Sequence, residues 1–327
     1  MTNNTIKFLT TKEDKGVRLD VLLAKKIKNL TRSNLKKIIE SKNVKINNNI
    51  ISSPSKKIKE NQVIHLNFFI NNVSKIKPQN LKLDIVFEDK DVLVINKPSG
   101  MVVHPGAGNL NKTLVNALIF KYKDKLSDIN GQLRPGIVHR IDKETSGLLV
   151  VAKNNFTHAN LTQQFSEHSI SRKYLALIWG ITRPLVGKIE TLITRNKKNR
   201  QLMSVSDIRG KKSVTHYKTI KTFNIKDVPK ISLMEFTLET GRTHQIRVHM
   251  AFKRNPILGD KQYGKKNIKF KKINKEFEKT LKLLNRQALH AKTIGFVHPR
   301  QNKFMSFDSD LPKDFKKMLD LLNKLSN

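Results

Sequence analysis

The stretch GIVHRIDKETSGLLVVAK, residues 136–153, decides how this chain is read. Its second half, Gly147 to Lys153, holds a continuous apolar run. Such a run suits a central strand with both faces covered. Its first half crowds His139, Arg140, Asp142, Lys143 and Glu144 into one short loop. Loops anchored by a rigid core strand are preferred places for catalytic groups, because the strand holds what the loop exposes. Asp142 lies among His139, Arg140 and Lys143, and nearby cations favour an ionised carboxylate. An ionised carboxylate serves as nucleophile or general base. A salt-bridged surface loop is the plainer reading of the same residues, and both stay open on this chemistry alone.

Outward from that stretch the pattern continues in short elements. LDIVFED and VLVINK read as strands, and KPSGMVVHPGAGN as a Gly/Pro-rich loop. KTLVNALIFKY reads as a helix, as does Thr157 to His168. Tyr174 to Trp179 is a strand. VTHYKTIKTF and ISLMEFTLET both alternate and predict a pair of antiparallel strands. THQIRVHMAF is a helix, Lys265 to Lys282 a basic amphipathic insertion, Ala291 to Val297 a strand, and Lys313 to Leu325 the closing helix. Strands outnumber helices without βαβ alternation, which predicts an α+β fold with a largely antiparallel sheet over residues 81–327.

The N-terminal part differs. Residues 1–16 are polar and read as a loose tail. RLDVLLAKKIKN places Leu19, Leu22, Leu23 and Ile27 at helical spacing. SNLKKIIESKN is a second helix with Leu35, Ile38 and Ile39 on one face, with Thr31 or Ser33 available as its cap. Short strands follow at Val44 to Ile46 and Gln62 to Leu66. Residues 17–69 thus form a compact module, and 70–80, which contain Pro78, read as a linker.

Composition bounds the function. The chain has 327 residues, Lys+Arg 64 against Asp+Glu 26, and a net charge of +38. That excess points to a polyanion, above all nucleic acid. Codon drift in an AT-rich genome accounts for lysine but not for the scarcity of Asp and Glu. Cysteine is absent, which excludes disulfides, thiolate zinc sites, iron–sulfur clusters and thiol nucleophiles. No apolar run is long enough to span a membrane, and the N-terminus has no secretory h-region, so a cytoplasmic protein is expected. Residues 97–109 contain neither G-x-G-x-x-G nor Gly-Lys-Ser/Thr, so no nucleotide cofactor is expected. In LETGRTHQIRVHMA, residues 238–251, an arginine could clamp a carboxylate or phosphate. His244 and His249 there lack the i, i+4 spacing of a metal-binding helix, so no metal is expected.

Several motifs in order carry a resemblance. They are Ile95-Asn96-Lys97-Pro98, Val103-His104-Pro105-Gly106, His139-Arg140-Ile141-Asp142-Lys143, Arg172-Lys173-Tyr174, Glu239-Thr240-Gly241-Arg242-Thr243-His244-Gln245-Ile246-Arg247, Gly259-Asp260 with Tyr263-Gly264, and Gln287-Ala288-Leu289-His290-Ala291. On these, residues 81–327 resemble the RluA family of uridine-to-pseudouridine isomerases, with Ile141 where the family usually has Leu. Arg18-Leu19-Asp20, Thr31-Arg32-Ser33 and Asn61-Gln62-Val63-Ile64 make residues 17–69 similar to the S4 RNA-binding domain. The resemblance implies a pseudouridine synthase domain with a curved sheet, crossed by an active-site cleft, behind an S4 module of two helices and a small sheet.

The resemblance also implies roles. Asp142 matches the essential aspartate, Tyr174 the tyrosine beside the target base, and Arg247 the arginine that holds the aspartate. Arg140 matches an arginine that enters the RNA stack when the uridine is flipped out. Arg32, Lys36 and Lys37 would contact RNA backbone, and Lys97, His104 and His290 would shape or line the cleft. The reaction has no redox change, so no cofactor is implied. Within the family, VHPGAGN with Asn116-Ala117-Leu118 is most like members that modify the helix 69 stem-loop of large-subunit ribosomal RNA. The implied partner is that RNA or the assembling 50S particle, met by a monomer. The competing expectations are a sister enzyme acting on another ribosomal or transfer RNA uridine, and a non-catalytic ribosome-assembly factor.

Overall fold

The computed structural model of this chain describes residues 2–27, 30, 32–70, 76–106, 108–123, 125–131, 133–264 and 274–326. It divides into two units, Met1–Lys75 and Ile76–Asn327.

The first unit contains β1 (Thr2–Leu9), α1 (Leu19–Lys26), α2 (Arg32–Glu40), β2 (Val44–Ile46), β3 (Asn49–Ile51) and β4 (Val63–Ile70). Its sheet runs β1-β4-β2-β3 with antiparallel neighbours. Leu19, Leu22, Leu23 and Ile27 meet Leu35 and Ile39 of α2 and Val44, Ile46, Ile64 and Leu66 of the sheet in one core. The spacing that predicted two helices is the spacing that fills this core. Thr31 lies outside the described residues, and Ser33 is inside α2 rather than before it. The loose tail expected over residues 1–16 is a correction: β1 pairs along its length with β4. Ile6 and Phe8 pack against the core while Thr5, Lys7 and Leu9 are exposed. A half-solvated strand this short carries too few apolar residues to stand out from a polar tail.

The second unit contains β5 (Ile85–Glu88), β6 (Val92–Lys97), α3 (Leu114–Tyr122), β7 (Ser146–Ala152), α4 (Asn155–Ser166), β8 (Ser171–Trp179), β9 (Val186–Arg195), β10 (Met203–Ser206), β11 (Lys211–Phe223) and β12 (Ile231–Leu238). It continues with α5 (Gln245–Phe252), α6 (Lys275–Leu284), β13 (Leu289–Val297), β14 (Phe304–Asp308) and α7 (Lys313–Leu325). The described strands form one sheet in the order β10-β9-β11-β12-β8-β13-β7-β6-β5, with β14 on β13. All neighbours are antiparallel except β13 and β7. The fold is therefore α+β and largely antiparallel, as the strand pattern predicts. The expected linker needs correction at its end: Ile76 packs on the core of this unit, and Asn116 donates to the Lys77 carbonyl. Residues 71–75 and 265–273 lie outside the described residues. The rest of the expected basic insertion includes α6, whose Phe277, Thr280 and Leu284 are buried.

β7 is buried along its whole length. Leu149 and Val151 join Leu93 and Ile95 in the larger core, while Leu148, Val150 and Ala152 join Val92, Val94, Leu161 and Phe296 in a second core. Alternate residues thus feed opposite faces, and both faces are covered. Each such aliphatic side chain contributes roughly 1.5–3 kcal/mol on burial. Gly147 has φ +114, and a Cβ there would fall 2.2 Å from the Ala291 carbonyl oxygen. Glycine lets β13 come alongside β7 at the point where the Asp142 loop ends.

Candidate active site

The loop before β7 is held by Lys97, at the end of β6. Its ammonium donates to the carbonyls of Pro98 (2.7 Å), Met101 (2.8 Å) and Lys143 (3.0 Å). Three N–H groups meet three oxygens, and the side chain is 0% exposed. Burial pushes its pKa down to about 7. Lys97 therefore does not line the cleft or meet RNA; it ties the 97–101 turn to the Asp142 loop. His139 is on the cleft wall but its ring is engaged: Nε2 accepts the Val150 N–H at 3.0 Å and the ring lies 4.7 Å from that of Phe165. Burial lowers its pKa to about 3, so it is neutral. Neither of the cations adjacent in sequence, Arg140 and Lys143, forms an ion pair with Asp142, and nor does neutral His139.

Arg247 supplies that pair. It projects from α5, whose start is locked by Gln245: Nε2 donates to the Val214 carbonyl and the Thr215 hydroxyl, while Oε1 accepts from Thr240 Oγ1 and the Arg242 N–H. Arg247 Nη1 donates to Asp142 Oδ2 at 3.0 Å. Its Nε and Nη2 make a bidentate pair with Asp260 at 2.7 and 3.0 Å, and Nη2 also reaches Gln262 Oε1 at 2.7 Å. Burial opposes its charge, but Asp260 and Asp142 outweigh this and raise its pKa. A fixed guanidinium behind Asp142 orients the carboxylate.

A cleft of about 590 Å³ opens over this pair, within the range of ligand sites. Asp142, Arg247, Arg140, Tyr174, His244 and Phe165 are among its walls. Tyr174 sits mid-sheet, opposite Phe236 and Ala291, and burial raises the pKa of its phenol. Arg140 is exposed, and its Nη1 donates to His104 Nε2 at 3.4 Å. Burial, then the charges of Arg140 and Arg134, lower His104 to about 4. Neutral His104 thus steadies Arg140 as a hydrogen-bond acceptor. His290 is a correction: it lies buried between the Ser146 and Ser309 hydroxyls, in the seam between β7 and the chain after β14 rather than on the cleft wall. His249 is held by the hydroxyls of Thr191 and Thr215. Among the described residues no group of His, Asp and Glu is placed to hold a metal.

In the first unit Arg32 donates twice to Asp20 Oδ2, at 3.0 and 2.8 Å, and shares that carboxylate with Arg18. Lys36 lies 3.6 Å from Glu40, and Lys37 is exposed.

The family description "RNA pseudouridylate synthase" matches residues 91–252, and the S4 domain matches 17–64. The chain is 45% identical over 320 residues to ribosomal large subunit pseudouridine synthase D of Zymomonas mobilis subsp. mobilis, covering 97% of this chain and 98% of that protein. The chain belongs to the RNA pseudouridine synthase family. It is also 39% identical over 322 residues to the uncharacterized RNA pseudouridine synthase YlyB of Bacillus subtilis, across 98% of this chain and 99% of that one. Among solved structures, human RNA pseudouridylate synthase domain containing 4 superimposes with a TM-score of 0.56 at 25% identity, covering 73% of this chain and 93% of that one.

For an RNA pseudouridine synthase the site holds more than the sequence reading assigned. Sequence alone gives Asp260, Gln262 and Tyr263 no role and offers His244 only as a metal ligand to be excluded. The signal was present as Gly259-Asp260 with Tyr263-Gly264, a motif without an obvious chemical task until Arg247 is seen against it.

Proposed function

We propose that this chain converts specific uridines of large-subunit ribosomal RNA to pseudouridine, with Asp142 as the carboxylate that acts on the flipped nucleotide. The observation that carries the reading is Asp142 on the cleft wall with Oδ2 held at 3.0 Å by a buried arginine. Isomerisation breaks N1–C1′, turns the uracil and joins C5 to C1′, and the C5 proton leaves to solvent. Asp142 assists at C1′ or at C6 of the base. Tyr174 offers its face to the uracil, and base–aromatic stacking contributes about 1–3 kcal/mol. Its raised phenol pKa keeps the hydroxyl protonated, which favours stacking over action as a base. Arg140 fills the space the base vacates, since flipping costs a few kcal/mol and a planar guanidinium stacks well. Relatives named for the ribosomal large subunit support large-subunit RNA, and the VHPGAGN resemblance supports the helix 69 stem-loop.

The test is tritium release from C5-labelled uridine in large-subunit ribosomal RNA, naked and assembled, with wild type and Asp142→Asn in parallel. Wild type should release tritium, and the variant should fall by roughly 10⁴-fold or more, as when a reacting group is removed, while still binding RNA. Release only from other RNAs would make it a sister enzyme. No release from any RNA, with binding intact, would leave the assembly-factor reading.

A further inference from the structure

The turn from Asp260 to Tyr263 does two things at once. Asp260 Oδ1 accepts the backbone N–H groups of Gln262 and Tyr263 at 2.9 and 3.0 Å, which fixes the turn, while the same carboxylate clamps Arg247. Tyr263 leaves this turn on the other side. Its hydroxyl oxygen accepts the Met203 N–H of β10 at 2.8 Å and lies 2.8 Å from His244 Nδ1. His244 Nε2 in turn faces Asp142 Oδ1 at 3.8 Å.

The proton positions follow from counting donors. Tyr263 has one O–H, and its oxygen already accepts from a backbone amide that can only donate. Of the two groups within hydrogen-bond distance of the hydroxyl, only His244 Nδ1 can take its proton, which assigns Nδ1 as the acceptor. A neutral imidazole then carries its proton on Nε2, aimed at Asp142. Burial lowers the His244 pKa, opposed by Asp142, so the ring is neutral near pH 7.

We infer that Tyr263 and His244 are positioning residues that set the orientation of Asp142: the β10 backbone fixes the Tyr263 hydroxyl, the hydroxyl selects the Nε2–H tautomer of His244, and that N–H holds Oδ1. The carboxylate then has two unlike oxygens. Oδ2 is taken up by Arg247, and Oδ1 is the one presented to the nucleotide, guided by a neutral donor that leaves its charge in place. The gap of 3.8 Å is longer than a hydrogen bond, as contacts at a reacting group often are before substrate binds. One turn, Asp260 to Tyr263, mounts both supports, so the two oxygens are located relative to each other. The inference rests on Asp142 being the acting carboxylate.

The test combines a spectroscopic and a kinetic measurement on the full chain. Protein with ring-¹⁵N histidine is observed by two-bond ¹H–¹⁵N correlation, with His244→Gln identifying the resonance. Wild type should show the neutral Nε2–H tautomer, and Tyr263→Phe a mixture of tautomers. In single-turnover isomerisation Tyr263→Phe should be slower by about 10–100-fold, the range expected for a misplaced reacting group, with RNA Kd within about twofold of wild type. His244→Gln, which retains an N–H donor, should be faster than His244→Ala. An Nδ1–H tautomer or an imidazolium in wild type overturns the inference, as does a wild-type rate in Tyr263→Phe. If Tyr263→Phe does not fold, the comparison of Gln with Ala decides: equal rates overturn it. Turnover by Asp142→Asn would instead overturn the reading of Asp142, while the tautomer of His244 stands as a separate result.

Discussion

The two units use the same ion pair in opposite senses. In the S4 unit the carboxylate is sunk and the guanidiniums are presented: Asp20 is 4% exposed, Arg18 48% and Arg32 57%. In the catalytic unit the guanidinium is sunk: Arg247 is 5% exposed, with Asp260 at 0% behind it and Asp142 at 18% in front. A buried acid that orders exposed arginines makes a surface for a polyanion. A buried arginine that orders a half-exposed acid makes a reacting group. The difference lies in which partner is left at the boundary with solvent, since an exposed charge acts outward and a buried one acts on its neighbour.

The largest effect that would break this comparison is on Arg247. Arg247→Ala strands Asp260 without a cation in the interior and releases Asp142. Removing one partner of a buried pair costs about 3–5 kcal/mol, so urea unfolding should shift by that order and tritium release should be lost. If the variant is no less stable than Arg32→Ala, the distinction between buried and presented arginine fails.

Acid should separate the units next. His249 and His290 lie buried among hydroxyls, with pKa values lowered by burial to about 4 in each case. Between pH 6.5 and 5 the unfolded chain takes up protons that these folded histidines refuse, so stability falls by roughly 2 kcal/mol for each. Among the described residues of the S4 unit no histidine is buried. Hydrogen bonds from Arg18 and Arg32, opposed by burial, hold Asp20 at about 2. Its contribution is present above the ordinary aspartate pKa and is lost only as pH falls toward 2. Hydrogen exchange at pH 5 should therefore show the catalytic unit loosened and the S4 unit protected. The reverse order would contradict the burial argument.

Arg32→Ala should give the smallest change. An exposed pair contributes about 0–1 kcal/mol, and Arg18 still covers Asp20. If Arg32 meets a phosphate, the slope of log Kd against log salt should fall by about 1, with turnover at saturating RNA unchanged. An unchanged slope would make Arg32 a structural partner of Asp20.

Much of this was legible before any coordinates. The run at Leu148 to Ala152, the spacing of Leu19, Leu22 and Leu23, and the alternation in Val214 to Phe223 each report how one element buries its own face, and that information is local. The ordered motifs likewise marked Asp142, Tyr174 and Arg247. β9, β10 and β14 are hard to read because they are mostly half-exposed or exposed and contain no run of buried residues, so no apolar pattern marks them.

Local pattern in the chain is enough for most of the elements, for the family resemblance, and for the short loop that carries Asp142. The tertiary structure decided who meets that aspartate. The two cations adjacent in sequence, Arg140 and Lys143, do not pair with it, whereas an arginine 105 residues away does. It also decided that Lys97 faces inward and that Asp260 and Tyr263 stand behind Arg247 and His244. The physical reason is that periodicity records burial along a single element, while the choice of partner depends on where separate elements come together and which side chains can satisfy every donor and acceptor enclosed there.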